Sequence, residues 1–102
     1  MELFRGDTFL KQIGTTNYTF RVGDKLHIAI MKNEYSKEYL YEGVIELTEE
    51  KDFVDLEIPA SKTKEFPVGD LLLEVELTTV DEIVQTNQYK INVRMDGIYE
   101  RN

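Results

Sequence analysis

The chain contains no cysteine and no tryptophan, and it has one histidine among its 102 residues. Without cysteine there is no disulfide and no thiolate metal site, and this composition mildly favours folding in a reducing cytosol. A single histidine leaves little material for nucleophilic catalysis or for a zinc site, both of which combine several side chains. We therefore expect no catalytic residue, no metal site and no cofactor, and a protein that is not an enzyme.

Long apolar runs are also missing. No stretch of the sequence approaches the roughly 20 apolar residues that cross a bilayer. The N-terminal segment Met1–Gly6 lacks a basic stretch followed by an apolar block. We accordingly expect neither a signal peptide nor insertion into a membrane.

Positive charge is scarce. The chain has 12 basic and 20 acidic residues and a net charge of −8, which disfavours nucleic acid and anionic membrane surfaces as partners. Apolar residues make up 41% of the chain, enough for a folded core. The length is that of one domain, and we expect a single domain over 1–102.

The strongest pattern that is present is an alternation of aliphatic and polar residues, which is typical of strands with one dry and one wet face. It predicts an all-β fold, an antiparallel, immunoglobulin-like β-sandwich of about seven strands, with a small barrel as the alternative. The predicted strands are 8–13, 18–22, 25–31, 39–47, 52–58, 70–78 and 83–95.

Local signals refine this prediction at several links. Gly43 indicates a bulge at which the inward face of its strand switches. The segment between Pro59 and Pro67 predicts one helical turn with Ser61 as its N-cap. In Arg5-Gly6-Asp7 we expect a turn rather than an integrin-binding motif.

A group of tyrosines is the best candidate for a contact surface, because tyrosine is enriched in the cores of protein interfaces. Tyr35, Tyr39, Leu40 and Tyr41 lie close together in the sequence, and Tyr99 stands in the C-terminal tail. The alternative is that the tyrosines only cover an edge of the core.

Two further features concern polar residues on the wet faces. His27 alternates with aliphatic residues, so we expect it to point away from the core, towards solvent or a partner. If their strands share one sheet, the outward glutamates form an acidic face that is either solvated or a docking surface; they are Glu46, Glu57, Glu74 and Glu76.

The order of several short motifs resembles that of a known group of domains. Arg5–Phe9 begins a strand. In the segment Tyr18–Ile28, Gly23-Asp24 precedes the next strand. The segment Ile58–Asp70 then carries a proline, a Lys-Thr pair and a turn glycine before a long strand. This order resembles the small immunoglobulin-like β-sandwich domains of phages and prophages of Gram-positive bacteria, in particular the N-terminal domain of the baseplate upper protein family. The chain departs from that pattern at 79–82, where no glycine is present.

The resemblance implies a structural or interaction protein of a phage or prophage particle, as a tail-tip, baseplate or head–tail component. Its partners would be other virion proteins or copies of itself. The chain would be made in the cytoplasm of the bacterial host and located in the virion. The alternative function is a β-sandwich module that binds a small molecule or a carbohydrate.

Overall fold

The computed structural model describes residues 1–14 and 17–95, which form seven strands and one short helix. Their bounds follow the alternation in the sequence closely at most places. The elements are β1 (Glu2–Phe4), β2 (Phe9–Gly14), β3 (Lys25–Met31), β4 (Tyr41–Glu46), β5 (Phe53–Ile58), α1 (Ala60–Thr63), β6 (Gly69–Thr78) and β7 (Val84–Arg94).

The strands form a five-stranded sheet in the order β1-β7-β6-β3-β4 and a two-stranded sheet of β2 and β5. All neighbouring pairs are antiparallel except β1 and β7, which are parallel. The all-β class is thus confirmed, whereas the larger sheet is mixed and not purely antiparallel as we expected.

The core is one cluster of buried side chains to which both sheets contribute. Along β6 every second side chain is buried, as the alternation predicts. Ile28 and Ile30 of β3, the strand next to the edge strand β4, are fully buried. The other sheet contributes Phe9, Ile13, Val54, Leu56 and Ile58.

The strand predicted at 18–22 does not form. Phe20 makes one isolated bridge to Lys51, and its ring is 1% exposed. A turn follows at once, in which Asp24 N–H donates to the Arg21 carbonyl oxygen and Gly23 has a φ of +94°. The aromatic and aliphatic residues of this segment therefore serve as core side chains of a loop.

Conversely, β1 was not predicted. It has three residues, too few to show a period, and its pairing with β7 is the parallel one. The pairing buries Leu3 opposite Val93, at the margin of the core.

The bulge predicted at Gly43 is wrong, because the register of β4 against β3 is unbroken from Tyr41 to Glu46. The irregularity lies at the start of β4 instead. Leu40 N–H donates to the Ile30 carbonyl oxygen (2.7 Å), although Ile30 is already the partner of Tyr41. Two consecutive residues thus oppose one, as in a β-bulge, and both of them pack against the core.

The helical turn between the two prolines is present as α1, but Ser61 is not its N-cap. The N-cap position is held by Pro59, and no side chain caps the helix there. The buried hydroxyl of Thr63 instead donates to the Asp7 carbonyl oxygen (2.6 Å) and accepts the Gly6 N–H (3.2 Å). This contact joins α1 to the turn between β1 and β2, where Gly6 has a φ of +95°.

None of the helices in the part of the chain that the structure describes is long and apolar enough to cross a membrane.

Candidate interaction surface

Strand β4 forms one edge of the five-stranded sheet, and among the described strands only β3 pairs with it. Leu47 N–H donates to the Asp24 carbonyl oxygen (2.9 Å), which fixes the phase of the ladder just beyond β4. In an antiparallel ladder, residues alternately direct their backbone groups towards and away from the neighbour. Since Leu47 directs its backbone groups towards β3, every second residue before it does the same. The backbone groups of Glu42, Val44 and Glu46 therefore point away from β3.

These three residues also share one face of the sheet, and we call them the β4 edge. Their partners in β3 are Lys25, His27 and Ala29. Val44 is 64% exposed although it is aliphatic and stands in the middle of a strand. The β4 edge thus combines backbone donors and acceptors that no other described strand pairs with and one apolar side chain between two carboxylates.

Two more glutamates extend this acidic face. Glu74 and Glu76 of β6 stand opposite Ala29 and His27 of β3, on the same side as the β4 edge. The prediction of an acidic face is therefore correct for Glu46, Glu74 and Glu76. It is wrong for Glu57, which lies on β5 in the other sheet and pairs with Leu10.

His27 points away from the core, as its alternation predicts, and lies on the acidic face. Its Nε2 atom is 2.8 Å from Glu42 Oε2, and its ring meets that of Tyr39 edge-on at 6.2 Å between centroids. The His27 imidazole, the Glu42 carboxylate and the Tyr39 phenol thus lie next to one another on the surface beside the strand edge. The contacts orient Glu42 and Tyr39 relative to the sheet.

A groove of about 590 Å³ opens where β4 begins. We call it the tyrosine groove; its walls are Glu38, Tyr39, Leu40, Tyr41, Glu42 and Lys62. Tyr39 is 50% exposed, whereas Leu40 and Tyr41 are partly buried and pack against the core. The Tyr41 ring lies over Gly43, where an added Cβ would stand 3.3 Å from the hydroxyl oxygen of Tyr41.

The structure thus brings three of the five predicted contact residues together in one wall. Tyr35 is not among the described residues of that wall. It is 84% exposed on a loop in which its N–H donates to Asn33 Oδ1 (2.9 Å). Tyr99 lies outside the described residues.

Asp24 is the buried carboxylate of the described residues, and its surroundings indicate a structural role. Oδ2 accepts hydrogen bonds from the Tyr18 hydroxyl and from Arg21 N–H (2.9 Å), and Oδ1 accepts one from Val80 N–H (3.0 Å). Burial alone would raise the pKa of Asp24, but these donors outweigh it and hold the pKa below its ordinary value. Burial and the bond to Asp24 raise the pKa of Tyr18.

The acidic loops show ordinary surface ion pairs. Arg21 and Asp81 approach to 2.6 Å, and Lys51 and Glu49 to 3.3 Å. Within residues 1–14 and 17–95, no group of three or more histidine, aspartate or glutamate side chains is arranged to hold a metal ion.

Glu42 and Val44 were missed by the sequence prediction. The alternation of Glu42, Val44 and Glu46 is visible in the sequence, but the aromatic residues before it suggested that the strand changed faces at Gly43. Val44 is exposed because the bulge at Leu40 takes up the extra residue before β4 begins. From Tyr41 onwards the strand therefore alternates regularly, and Val44 falls on the outward face. That β4 is an edge strand follows only from the strand order.

Comparison with known proteins gives no match, whether with family models, curated proteins or solved structures. The function of this chain is therefore inferred from its surface.

Proposed function

We propose that the chain is a non-enzymatic structural and interaction protein of a phage or prophage particle, and that it acts through protein–protein contacts. Within the particle it would serve in the tail tip, the baseplate or a head–tail position. Its partners are other virion proteins or copies of itself. The virion context is supported by the resemblance to baseplate β-sandwich domains. The contact function is supported by the surface at β4.

The observation that carries the contact function is the open edge of β4. A strand edge presents unpaired N–H and C=O groups to which another chain can add a strand. Beside this edge lies the tyrosine groove, whose aromatic rings supply the rigid, amphipathic contact area that interface cores use. Backbone pairing and an aromatic anchor are thus available on one continuous surface.

As to the fold, we propose an immunoglobulin-like sandwich in which the five-stranded sheet and the pair of β2 and β5 are the two layers. This reading is supported by the single buried cluster to which both sheets contribute. The strand count of seven is that of the smaller immunoglobulin-type domains.

The test is incorporation into particles from the host that encodes the chain. After a density gradient, quantitative mass spectrometry should find the chain at a constant ratio to the major virion proteins. Tyr39→Ser should lower that ratio by at least about fivefold, since it removes the exposed aromatic side chain of the tyrosine groove. Leu10→Ser is the matched control, because Leu10 is 68% exposed but lies on the other sheet. Absence of the chain from particles would reject the virion role.

A second candidate function is a module that binds a carbohydrate. The tyrosine groove favours it, because Tyr39 and Tyr41 stand there beside the carboxylates of Glu38 and Glu42, and such sites combine aromatic walls with a few polar groups. Saturation-transfer spectroscopy against a panel of glycans distinguishes the two. A monomeric chain that binds a glycan through Tyr39, and that does not enter particles, favours the carbohydrate module.

A further inference from the structure

The β4 edge differs from an open strand edge of neutral residues in its charge. Glu42 and Glu46 flank Val44, and β6, on the far side of β3, adds Glu74 and Glu76 to the same face. The chain as a whole carries a net charge of −8. Any strand that joins this edge must therefore place its own side chains against carboxylates.

A second copy of this chain fits the β4 edge poorly. The outward backbone groups would allow two β4 strands to pair antiparallel about Val44. That pairing sets Glu42 of each copy opposite Glu46 of the other, and like charges directly opposite are destabilising in a sheet. Charged side chains on an edge are a common means of preventing self-association.

We propose that the β4 edge binds an extended, basic segment of a different protein, which adds an antiparallel strand to the five-stranded sheet. This proposal rests on the contact function proposed above and selects its partner. The segment carries Lys or Arg opposite Glu46 and Glu42, and an aliphatic residue opposite Val44. Such a strand satisfies the free backbone groups and neutralises the two carboxylates together.

The tyrosine groove extends this pattern by one position. An antiparallel strand that continues past the residue opposite Glu42 runs towards the bulge at Leu40, where the groove opens. An apolar side chain there would contact Tyr39, which lies beside His27 on the same face as Glu42. The recognised pattern, from the N-terminus, is thus basic, any, aliphatic, any, basic, any, apolar.

The probe is a capped peptide of about seven residues, the length of an ordinary strand. Lys, Val, Arg and Leu occupy its alternate positions, and threonines separate them. A second peptide has glutamates in place of the Lys and Arg. Each is titrated into the isotope-labelled full chain, with backbone amide shifts as the readout. We expect the basic peptide to shift the amides of Glu42–Glu46 and the acidic peptide to bind at least about tenfold more weakly.

Variants at one position separate strand addition from simple charge attraction. Val44→Pro removes an N–H that points away from β3, and proline is tolerated on such an edge. Val44→Pro should lower the affinity for the basic peptide at least about tenfold. Val44→Thr keeps the N–H and should keep most of that affinity. If Val44→Pro does not fold, the double variant with Glu42→Lys and Glu46→Lys serves instead. It should reverse the preference and bind the acidic peptide.

The proposal is wrong if the basic peptide does not bind, if its shifts lie away from β4, or if the acidic peptide binds equally well. It is also wrong if light scattering shows a dimer that Val44→Pro dissociates, since the occupant is then a second copy. These results are independent of particle incorporation. A chain that enters particles but ignores the peptide refutes this inference alone, whereas a chain that binds the peptide but is absent from particles refutes only the virion role.

Discussion

At the scale of single residues, Asp24 connects three parts of the fold. Its two carboxylate oxygens accept hydrogen bonds from Tyr18, from Arg21 in the turn before β3, and from Val80 in the hairpin between β6 and β7. The side chain is fully buried. Loss of the charge would leave these part-buried donors with a weaker acceptor at a buried position, which is a costly change.

This arrangement predicts a dependence of stability on pH. Since folding lowers the pKa of Asp24, its contribution is complete above the unfolded-state pKa of about 4 and is lost as the pH falls through the lower folded-state pKa. Asp24→Asn should cost about 1–3 kcal/mol at neutral pH and should flatten the decline in unfolding free energy below about pH 4. Urea unfolding followed by tyrosine fluorescence at several pH values measures both.

The control for that series is Asp55→Asn, because Asp55 is exposed on β5. It should leave the stability at neutral pH within about 0.5 kcal/mol of the wild type. An Asp24→Asn variant that is as stable as the wild type, with the same decline in acid, would show that the carboxylate is not a structural link.

Glu82 is a non-glycine residue in the left-handed backbone region. Its φ is 65°, and its N–H donates to the Thr79 carbonyl oxygen (2.9 Å). The hairpin is thus a turn followed by one left-handed residue, a position at which glycine is usual. The sequence has no glycine at this link, 79–82.

Glu82→Gly should therefore stabilise the protein. The left-handed conformation costs a residue with a Cβ about 1–2 kcal/mol, while glycine gives back part of this through the entropy of the unfolded chain. We expect a net gain of about 0.5–1 kcal/mol in thermal or urea unfolding. Glu82→Ala keeps the Cβ and should show no gain. If the glycine and alanine variants are equally stable, the backbone at this position is not strained.

At the scale of elements, α1 is held by its last residue and not by a cap. It has four residues, too few for a helix that is stable by itself. The Thr63 hydroxyl joins it to the backbone of Gly6 and Asp7 across 56–57 positions of sequence. These hydrogen bonds hold α1 against the turn between β1 and β2.

Thr63→Val tests this link, because valine has nearly the same shape and no hydroxyl. It leaves the Gly6 N–H and the Asp7 carbonyl oxygen, both in part-buried hydrogen bonds, without their partner and should lower the unfolding free energy by about 0.5–1.5 kcal/mol. Thr63→Ser keeps the hydroxyl and should retain more stability. Ser61→Ala changes an exposed residue of the same helix and should stay within about 0.5 kcal/mol. A loss with Ser61→Ala equal to that with Thr63→Val would refute the assignment.

At the scale of the whole molecule, charge decides which chains can share the β4 edge. We expect the isolated wild type to be monomeric, because pairing of two copies sets Glu42 opposite Glu46 twice. Glu46→Lys turns both of these contacts into opposite-charge pairs and should promote dimers. Sedimentation equilibrium across a concentration series measures the change.

Glu65→Lys is the matched control, since it alters the net charge equally at an exposed site outside the strands. It should leave the chain monomeric. A wild type that dimerises as readily as Glu46→Lys, or a Glu65→Lys variant that dimerises equally, would show that the carboxylates of β4 do not govern association.

The sequence by itself determined which side chains form the core. Alternation is a local property with a period of two residues, so it fixes the two faces of a strand without knowledge of its neighbours. The buried positions of β5 and β6 follow from it directly, as do Leu26, Ile28 and Ile30 of β3, whereas the burial of Ala29 and Met31 does not. The tyrosine cluster was also visible, because Tyr39, Leu40 and Tyr41 are adjacent in the chain.

Only the tertiary structure decided the strand order, the parallel pairing of β1 with β7, and the position of β4 at an edge. Pairing joins segments that are distant in the chain, and no local pattern specifies the partner. The same reason explains the errors at Gly43 and Glu57. The position of the bulge is set by the hydrogen bond from Leu40 to Ile30, which the sequence does not show. The face of Glu57 depends on the sheet to which β5 belongs, which the sequence does not show either.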